Sequence, residues 1–391
     1  MTIINKNYLF YHNNNGDFMN TKKIKFDKTL IILITILSIM SLISIYSASM
    51  YLSKTLGNLV LKQLLWYGIG IILIFFIFKT KLNFILKVAP YLYIINTLLL
   101  LGLLFLAPEI NGSKCWYVIK GLGSFQPSEF MKITLLLMEI YIIKKFFKKY
   151  NNPTLFQEFK LLLYIGMIFA IPTILTFLEP DTGAVIVYFA ITLSILFISN
   201  IRIRWFVILF GLIVLILGTF FYIYFFKENI FISVFGSNFF YRIDRIINWQ
   251  SGCGMQLENS LAAIGSSGLI GHGFNNTPLY FPEAGTDFIF TVFASNFGLI
   301  GSVTLIAIIL ILDIHIIKIG ISSKKKTHKY IIAGIIAILL YQQIQNISMT
   351  IGLLPITGIT LPFISYGGSS LLAYMILIGF CLYIYNEKEL K

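Results

Sequence analysis

Asp287 is the residue of this sequence best placed for acid–base chemistry. It stands in Pro282-Glu283-Ala284-Gly285-Thr286-Asp287-Phe288-Ile289-Phe290, where a polar segment gives way to a hydrophobic run. A carboxylate at such a boundary has two readings. It caps or charges the first turn of the helix that follows, or it is a partly desolvated base whose pKa rises from about 3.9 towards neutrality. Position alone leaves both open.

Other chemistry-bearing residues gather in the same few polar stretches. One reads Asn111-Gly112-Ser113-Lys114-Cys115-Trp116-Tyr117, then Gln126-Pro127-Ser128-Glu129-Phe130-Met131-Lys132. Pro127 and Ser128 suit a helix start, and Glu129 and Lys132, three apart, share a helix face and can pair. A capped helix with a shielding ion pair explains them structurally, yet a lysine inside a span costs roughly 2.5–3.5 kcal/mol. Glu179-Pro180-Asp181 either caps the next helix or binds a cation or a sugar hydroxyl. Tyr241-Arg242-Ile243-Asp244-Arg245 places two arginines on the side where basic residues are scarce, and the guanidinium fork matches phosphate oxygens. Gly265, Gly268, Gly271 and Gly273 allow close packing or a phosphate cradle, without the strand–turn–helix unit of a dinucleotide fingerprint. Finally Gln345, Asn346 and Ser348 interrupt a hydrophobic run. Beyond them, Leu361-Pro362-Phe363-Ile364-Ser365-Tyr366-Gly367-Gly368-Ser369-Ser370 must be buried in protein or line a cavity.

The elements that position these residues are helices in a membrane. The chain has 391 residues, 58% hydrophobic and only 12% charged, with mean hydropathy +0.85. A soluble domain carries about 25% charged residues. The apolar residues come in runs of about 20, enough for a helix to cross the hydrocarbon core. Ten spans are expected: 29–48, 59–78, 82–107, 128–147, 159–178, 182–200, 205–226, 287–312, 330–351 and 363–385. The expected fold is an all-α polytopic membrane protein, with one long extracellular loop (227–286) between the seventh and eighth spans. Residues 1–27, rich in Asn and Lys, read as a mobile cytoplasmic tail ahead of a single transmembrane domain, 28–391. The run after this tail is long enough to span and is not read as a signal peptide.

The formal charge of +14 follows topology. With the N-terminus inside, the outer connections hold only Lys54, Lys114, Lys120, Lys227, Arg242 and Arg245, while inner connections carry nearly all the rest. This positive-inside bias places both termini in the cytoplasm and makes nucleic acid an unneeded partner. Lys62 and Lys132 fall within spans, where Lys62 can snorkel to the outer interface. Cys115 and Cys253 fall in outer connections and can pair, though their spacing does not demand it. The four histidines show no metal-ligand spacing.

Four of these blocks, in order, resemble the SEDS family (shape, elongation, division and sporulation) of bacterial RodA and FtsW. They are the Asn-Gly…Trp…Gln-Pro-Ser-Glu-x-x-Lys stretch, the Pro-Asp hairpin, the Ala-Ile-Gly…Pro-Glu-Ala-x-Thr-Asp-Phe-Ile-Phe stretch and Leu-Pro-Phe-Ile-Ser-Tyr-Gly-Gly-Ser-Ser. The likeness covers the chain from about residue 28. It implies a peptidoglycan glycosyltransferase of the bacterial cytoplasmic membrane, which polymerises lipid II at the outer face beside a class B penicillin-binding protein. The family's catalytic aspartate falls on Asp287, its tryptophan on Trp116 and its acid–base pair on Glu129 and Lys132. Glu283, Ser365 and Ser369 join them as candidate substrate-binding residues. Lys132, Arg242 and Arg245 are candidate cations for a departing diphosphate, with a divalent cation (Mg or Mn) an open addition. A flippase of the lipid-linked precursor and a non-catalytic scaffold of the elongation or division machinery are the alternatives. This chain departs from the family at Gly285 (usually His), at Ser295-Asn296-Phe297-Gly298 (usually Glu-Glu-Leu-Gly), at Glu179 (usually Gln) and at Cys115 (usually basic).

Overall fold

The computed structural model of the protein describes residues 25–49, 59–110, 113–119, 123–247 and 254–389. All ten expected spans are helices: α1 (Lys28–Ser49), α2 (Leu59–Lys79), α3 (Leu82–Leu106), α4 (Pro127–Lys149), α5 (Leu155–Leu178), α6 (Thr182–Ile198), α7 (Ile203–Phe226), α11 (Ile289–Ser322), α12 (Lys326–Thr350) and α13 (Gly368–Glu389). Eight of them, all but α4 and α6, are long and apolar enough to cross a membrane. α6 is apolar but has 17 residues, and α4 buries Glu129, Lys132 and Glu139. Helix is the only economical answer for such sequences, because each N–H and C=O finds its partner within the segment.

Three expectations are corrected. The 227–286 connection is not loop throughout: it carries α8 (Glu228–Phe235), α9 (Ser237–Ile247) and α10 (Met255–Ser266). The spread of Phe residues explains the first two, since Phe231, Phe235 and Phe239 meet Phe220 of α7 edge to face in an aromatic cluster. The last span begins at Gly368 rather than 363, because Gly358 and Phe363 take left-handed backbone (φ 68° and 64°). The eighth span runs on to Ser322, past Asp313, whose carboxylate accepts a hydrogen bond from Gln343 of α12 at 3.2 Å. A short hairpin, β1 (Tyr117–Ile119) with β2 (Gly123–Phe125), was not expected and pairs Tyr117 with Phe125.

The core is a bundle in which α13 packs on α2, α12 on α6 and α11, α4 on α3 and α6, and α1 on α11. α7 meets the bundle near its start, where Trp205 Nε1 donates to Glu158 of α5 at 2.9 Å, and Tyr224 is its one buried residue. Asp27 does not behave as tail: it is 2% exposed, caps Leu30 N at 3.0 Å and pairs with His315 Nε2 at 2.6 Å. The rest of the proposed tail up to residue 24, and the loop residues 248–253, lie outside the described residues.

Candidate active site

α11 is broken at Gly298, downstream of Asp287. Gly298 has φ 63° and ψ −159°, a conformation close to the one only glycine tolerates. A Cβ there would lie 2.4 Å from Gly271 N, and one on Gly271 would lie 2.3 Å from Asn296 O. The backbone groups freed by the break are paired by the preceding loop. His272 N and Gly273 N donate to Ser295 O and Asn296 O (2.9 and 3.2 Å), while Leu299 N and Ile300 N donate to Gly268 O and Leu269 O (3.0 and 3.1 Å). A break at membrane depth requires such pairing. Gly271 therefore serves close packing, whereas a Cβ on Gly265 or Gly268 would meet nothing within 4 Å. Two of the amides that a phosphate cradle would use, Gly271 N and Gly273 N, are already donating.

The short helical segment before the break begins at Ile289, just after Asp287. Its N-cap is Phe288, so Asp287 does not cap it. No hydrogen bond to the Asp287 carboxylate is found among the described residues, and its Oδ2 faces Gly358, whose added Cβ would lie 3.6 Å away. Burial, then the negative charges of Glu283 and Asp181, push this carboxyl up to about 7. That is the range in which a general base works best near neutral pH.

The backbone around Asp287 is fixed by the segment between α12 and α13. Ser365 Oγ donates to Thr286 O at 2.6 Å and accepts from Leu361 N at 2.8 Å; Tyr366 N donates to Gly285 O at 2.8 Å. Asn346 Nδ2 donates to both Asp287 O (2.8 Å) and Ile359 O (2.7 Å). Glu283, with φ 56°, accepts from Thr286 Oγ1 at 2.7 Å and so closes the turn before Asp287.

The same segment is gripped from the other side of the bundle. Ser41 Oγ, Tyr67 OH and Gln63 Nε2 of α1 and α2 donate to Ile364 O, Phe363 O and Ser365 O at 2.7, 2.7 and 3.3 Å. Thr360 Oγ1 and Tyr374 OH lie 3.0 Å apart, and the Tyr374 ring takes the Lys132 ammonium at 5.5 Å from its centroid. Lys132 is 2% exposed and pairs with Glu129 at 2.6 Å. Ser369 Oγ accepts from Gln126 N at 3.0 Å and donates to Ser124 O at 3.4 Å, tying the hairpin and the start of α4 to α13.

The Glu179-Pro180-Asp181 turn divides its labour. Asp181 caps α6 through Ala184 N at 3.0 Å and accepts from Gln126 Nε2 and Ser128 Oγ, both at 3.1 Å. Ser128 therefore binds Asp181 while Gln126 is the N-cap residue of α4. Glu179 is fully buried, with no hydrogen bond to either carboxylate oxygen among the described residues, and burial, then Asp181, hold its pKa up at about 8. Cys115 Sγ donates to Glu179 O at 3.0 Å; Cys253, its proposed partner, lies outside the described residues. Trp116 sits half-buried ahead of β1. Arg242 and Arg245 ride on α9, whose Asp244 accepts from Tyr224 OH at 2.9 Å; the two arginine side chains lie outside what is described. No three His, Cys, Asp or Glu side chains converge to hold a metal ion among the described residues.

Of the residues the sequence singled out, Glu283 and Ser365 both bond Thr286, the residue before Asp287. The sequence did not identify Ser41, Gln63 and Tyr67, polar residues on otherwise apolar helices.

A multi-pass helical membrane protein with a raised-pKa aspartate beside a broken helix is thus the class that fold and site define. The chain belongs to the FtsW, RodA and SpoVE family of cell cycle proteins, whose profile matches residues 27–390. It is 33% identical over 381 residues to the probable peptidoglycan glycosyltransferase FtsW of Coxiella burnetii, covering 93% of this chain and 97% of that one. It is equally similar, 33% over 381 residues, to stage V sporulation protein E of Bacillus subtilis, covering 93% and 98%. The fold is similar to a chain of a peptidoglycan synthase complex that coordinates polymerization and crosslinking (TM-score 0.76, 22% identity, 93% and 98% covered). It is also similar to an aspartate-to-alanine variant of Thermus thermophilus rod shape determining protein RodA (TM-score 0.67, 23% identity, 93% and 98% covered).

Proposed function

We propose that this chain is a peptidoglycan glycosyltransferase that polymerises lipid II at the outer face of the bacterial cytoplasmic membrane. The observation that carries the reading is the Asp287 carboxyl, without a hydrogen-bond partner among the described residues and held near pKa 7. A sugar hydroxyl of the acceptor attacks the anomeric carbon of the donor; the C–O bond to the diphosphate breaks as the new glycosidic bond forms. Asp287 takes the hydroxyl proton, a contribution of typically 10²- to 10⁴-fold. The polyprenyl diphosphate leaves with the bonding electrons, and Arg242 and Arg245 are the cations offered to it.

Lys132 acts differently from these arginines. Its charge is spent on Glu129 and Tyr374, so the pair holds α4 against α13 behind the site. Ser365, Ser369 and Glu283 position backbone around Asp287 and the hairpin that carries Trp116. A class B penicillin-binding protein is the proposed partner, crosslinking the glycan made here.

The test is polymerisation of labelled lipid II by purified protein, alone and with its partner, comparing wild type with Asp287→Ala. Glycan that forms with wild type and disappears in a folded variant supports the assignment. Equal product from both moves catalysis elsewhere, and no product beside a working control polymerase favours a flippase or a scaffold.

A further inference from the structure

At the end of the bundle opposite Asp287, four elements distant in sequence enclose a cavity of about 580 Å³. That volume falls in the roughly 300–1,000 Å³ range of ligand pockets. Lys81 comes from the turn between α2 and α3, Lys144 from α4, and Lys325 and Lys326 from the entry to α12. Among the described residues Glu387 of α13 is the one carboxylate lining it, so four lysines and one acid give a formal charge of +3, His328 left out of the count. Glu387 is already engaged, pairing with Lys325 and lying 3.0 Å from His328 Nε2. Lys144 donates to Asn83 Oδ1 at 2.9 Å, and Lys81 and Lys326 have no carboxylate partner among the described residues.

Basic connections alone are a topology signal, and most lysines here need no other account. Convergence on one cavity goes beyond that. Topology requires only that lysines lie on one side, whereas three exposed ammonium groups from three separate elements share this cavity. Beside it, Phe84, Tyr91, Ile95 and Leu98 form one exposed apolar stripe along α3; Phe84, next to the cavity residue Asn83, is 60% exposed. A cationic cup at a helix end, continuous with an apolar stripe, matches one ligand shape: a phosphate head with a hydrocarbon tail.

We propose that this cavity is a binding site for the phosphate headgroup of an anionic phospholipid, with the acyl chains laid along α3. Lys81, Lys144 and Lys326 contact the phosphate oxygens, and Asn83 holds Lys144 in place. The shared chemistry is a phosphoryl group, and a soluble phosphate compound would engage the same lysines without needing the α3 stripe.

The test uses the full-length protein in phosphatidylcholine nanodiscs titrated with phosphatidylglycerol, with bound lipid read by native mass spectrometry. Wild type is expected to retain phosphatidylglycerol saturably and in preference to phosphatidylcholine. Each lysine near a membrane surface contributes about a fivefold factor, so Lys81→Gln/Lys144→Gln/Lys326→Gln should bind roughly 100-fold more weakly. Lys326→Gln alone, with an unchanged melting temperature, should lose about fivefold. A control of equal charge, Lys148→Gln/Lys149→Gln/Lys160→Gln, should retain the lipid. An equal loss in the control overturns the proposal in favour of diffuse attraction, and undiminished binding by the first triple variant removes the site. Displacement of the lipid by inorganic phosphate or ADP reassigns the cavity to a soluble phosphate compound.

Discussion

Replacing Glu283 with Gln should move the pH dependence of catalysis without removing it. The wild-type Asp287 carboxyl titrates at about 7, raised first by burial and then by Glu283 and Asp181. As a base it must be deprotonated, so about 9% of molecules are competent at pH 6 and about 91% at pH 8, a roughly tenfold rise in rate. A like charge in a half-buried site is worth on the order of 1 kcal/mol, and one pKa unit is about 1.4 kcal/mol. Glu283→Gln should therefore lower the midpoint by about 0.5–1 unit and raise the rate at pH 6 about three- to fivefold, with little change at pH 8. The Gln amide oxygen can still accept from Thr286 Oγ1, which preserves the turn. The assay is single-turnover polymerisation of labelled lipid II between pH 5.5 and about 8.5, spanning the expected midpoint. A flat wild-type profile, or a variant profile with an unmoved midpoint, would refute Asp287 as the titrating base. A uniform loss at every pH would instead show that Glu283 binds substrate directly.

Four further outcomes are expected. Asp287→Asn should be inactive yet more stable than wild type; because folding raises the Asp287 pKa, the native state binds the proton more tightly, and its advantage should grow from about pH 4 to 7 in thermal unfolding. Lys132→Ala leaves Glu129 buried and unpaired and should cost about 3–5 kcal/mol, whereas Glu129→Leu/Lys132→Met should recover much of that by denaturant titration. Gly298→Ala should destabilise by about 2–6 kcal/mol through positive-φ strain and the backbone contact with Gly271, read as lost monodisperse protein on size-exclusion chromatography. Glu179→Gln should keep polymerisation within about twofold near neutral pH, because burial already holds the carboxyl protonated to about 8; a large loss would show that its ionised form is used.

The helices were legible because lipid imposes one rule on every residue of a span, and a run of apolar side chains states it outright. Asp287 was legible as a candidate because its polar segment adjoins a hydrophobic run. The break at Gly298 was not: φ near 63° follows from where Leu269–Gly271 passes, a contact between distant segments that no local pattern records. The inward turn of Ser41, Gln63 and Tyr67 was hidden for the same reason. Their partners are carbonyls some 300 residues away in the chain. α4 illustrates the middle case. Glu129 and Lys132 announced a pair by spacing, whereas the destination of that pair, the Tyr374 ring, depended on how α13 packs.

The segment from Gly358 to Tyr366 also fixes when, during synthesis, this protein acquires a site at all. It touches Asp287, receives hydrogen bonds from α1 and α2, and reaches Lys132 through Tyr374. It also follows α1, α2, α4 and α11 in the chain, so it leaves the ribosome after them. Until then Asp287 has no neighbour at Gly358, Thr286 O lacks Ser365, and the polar side chains of α1 and α2 wait in the bilayer without their carbonyls. A chain truncated before residue 358 would hold nine of its ten long helices and none of the surroundings that tune its aspartate. Assembly of the centre is thus tied to the arrival of this segment, and a copy halted before it lacks those surroundings.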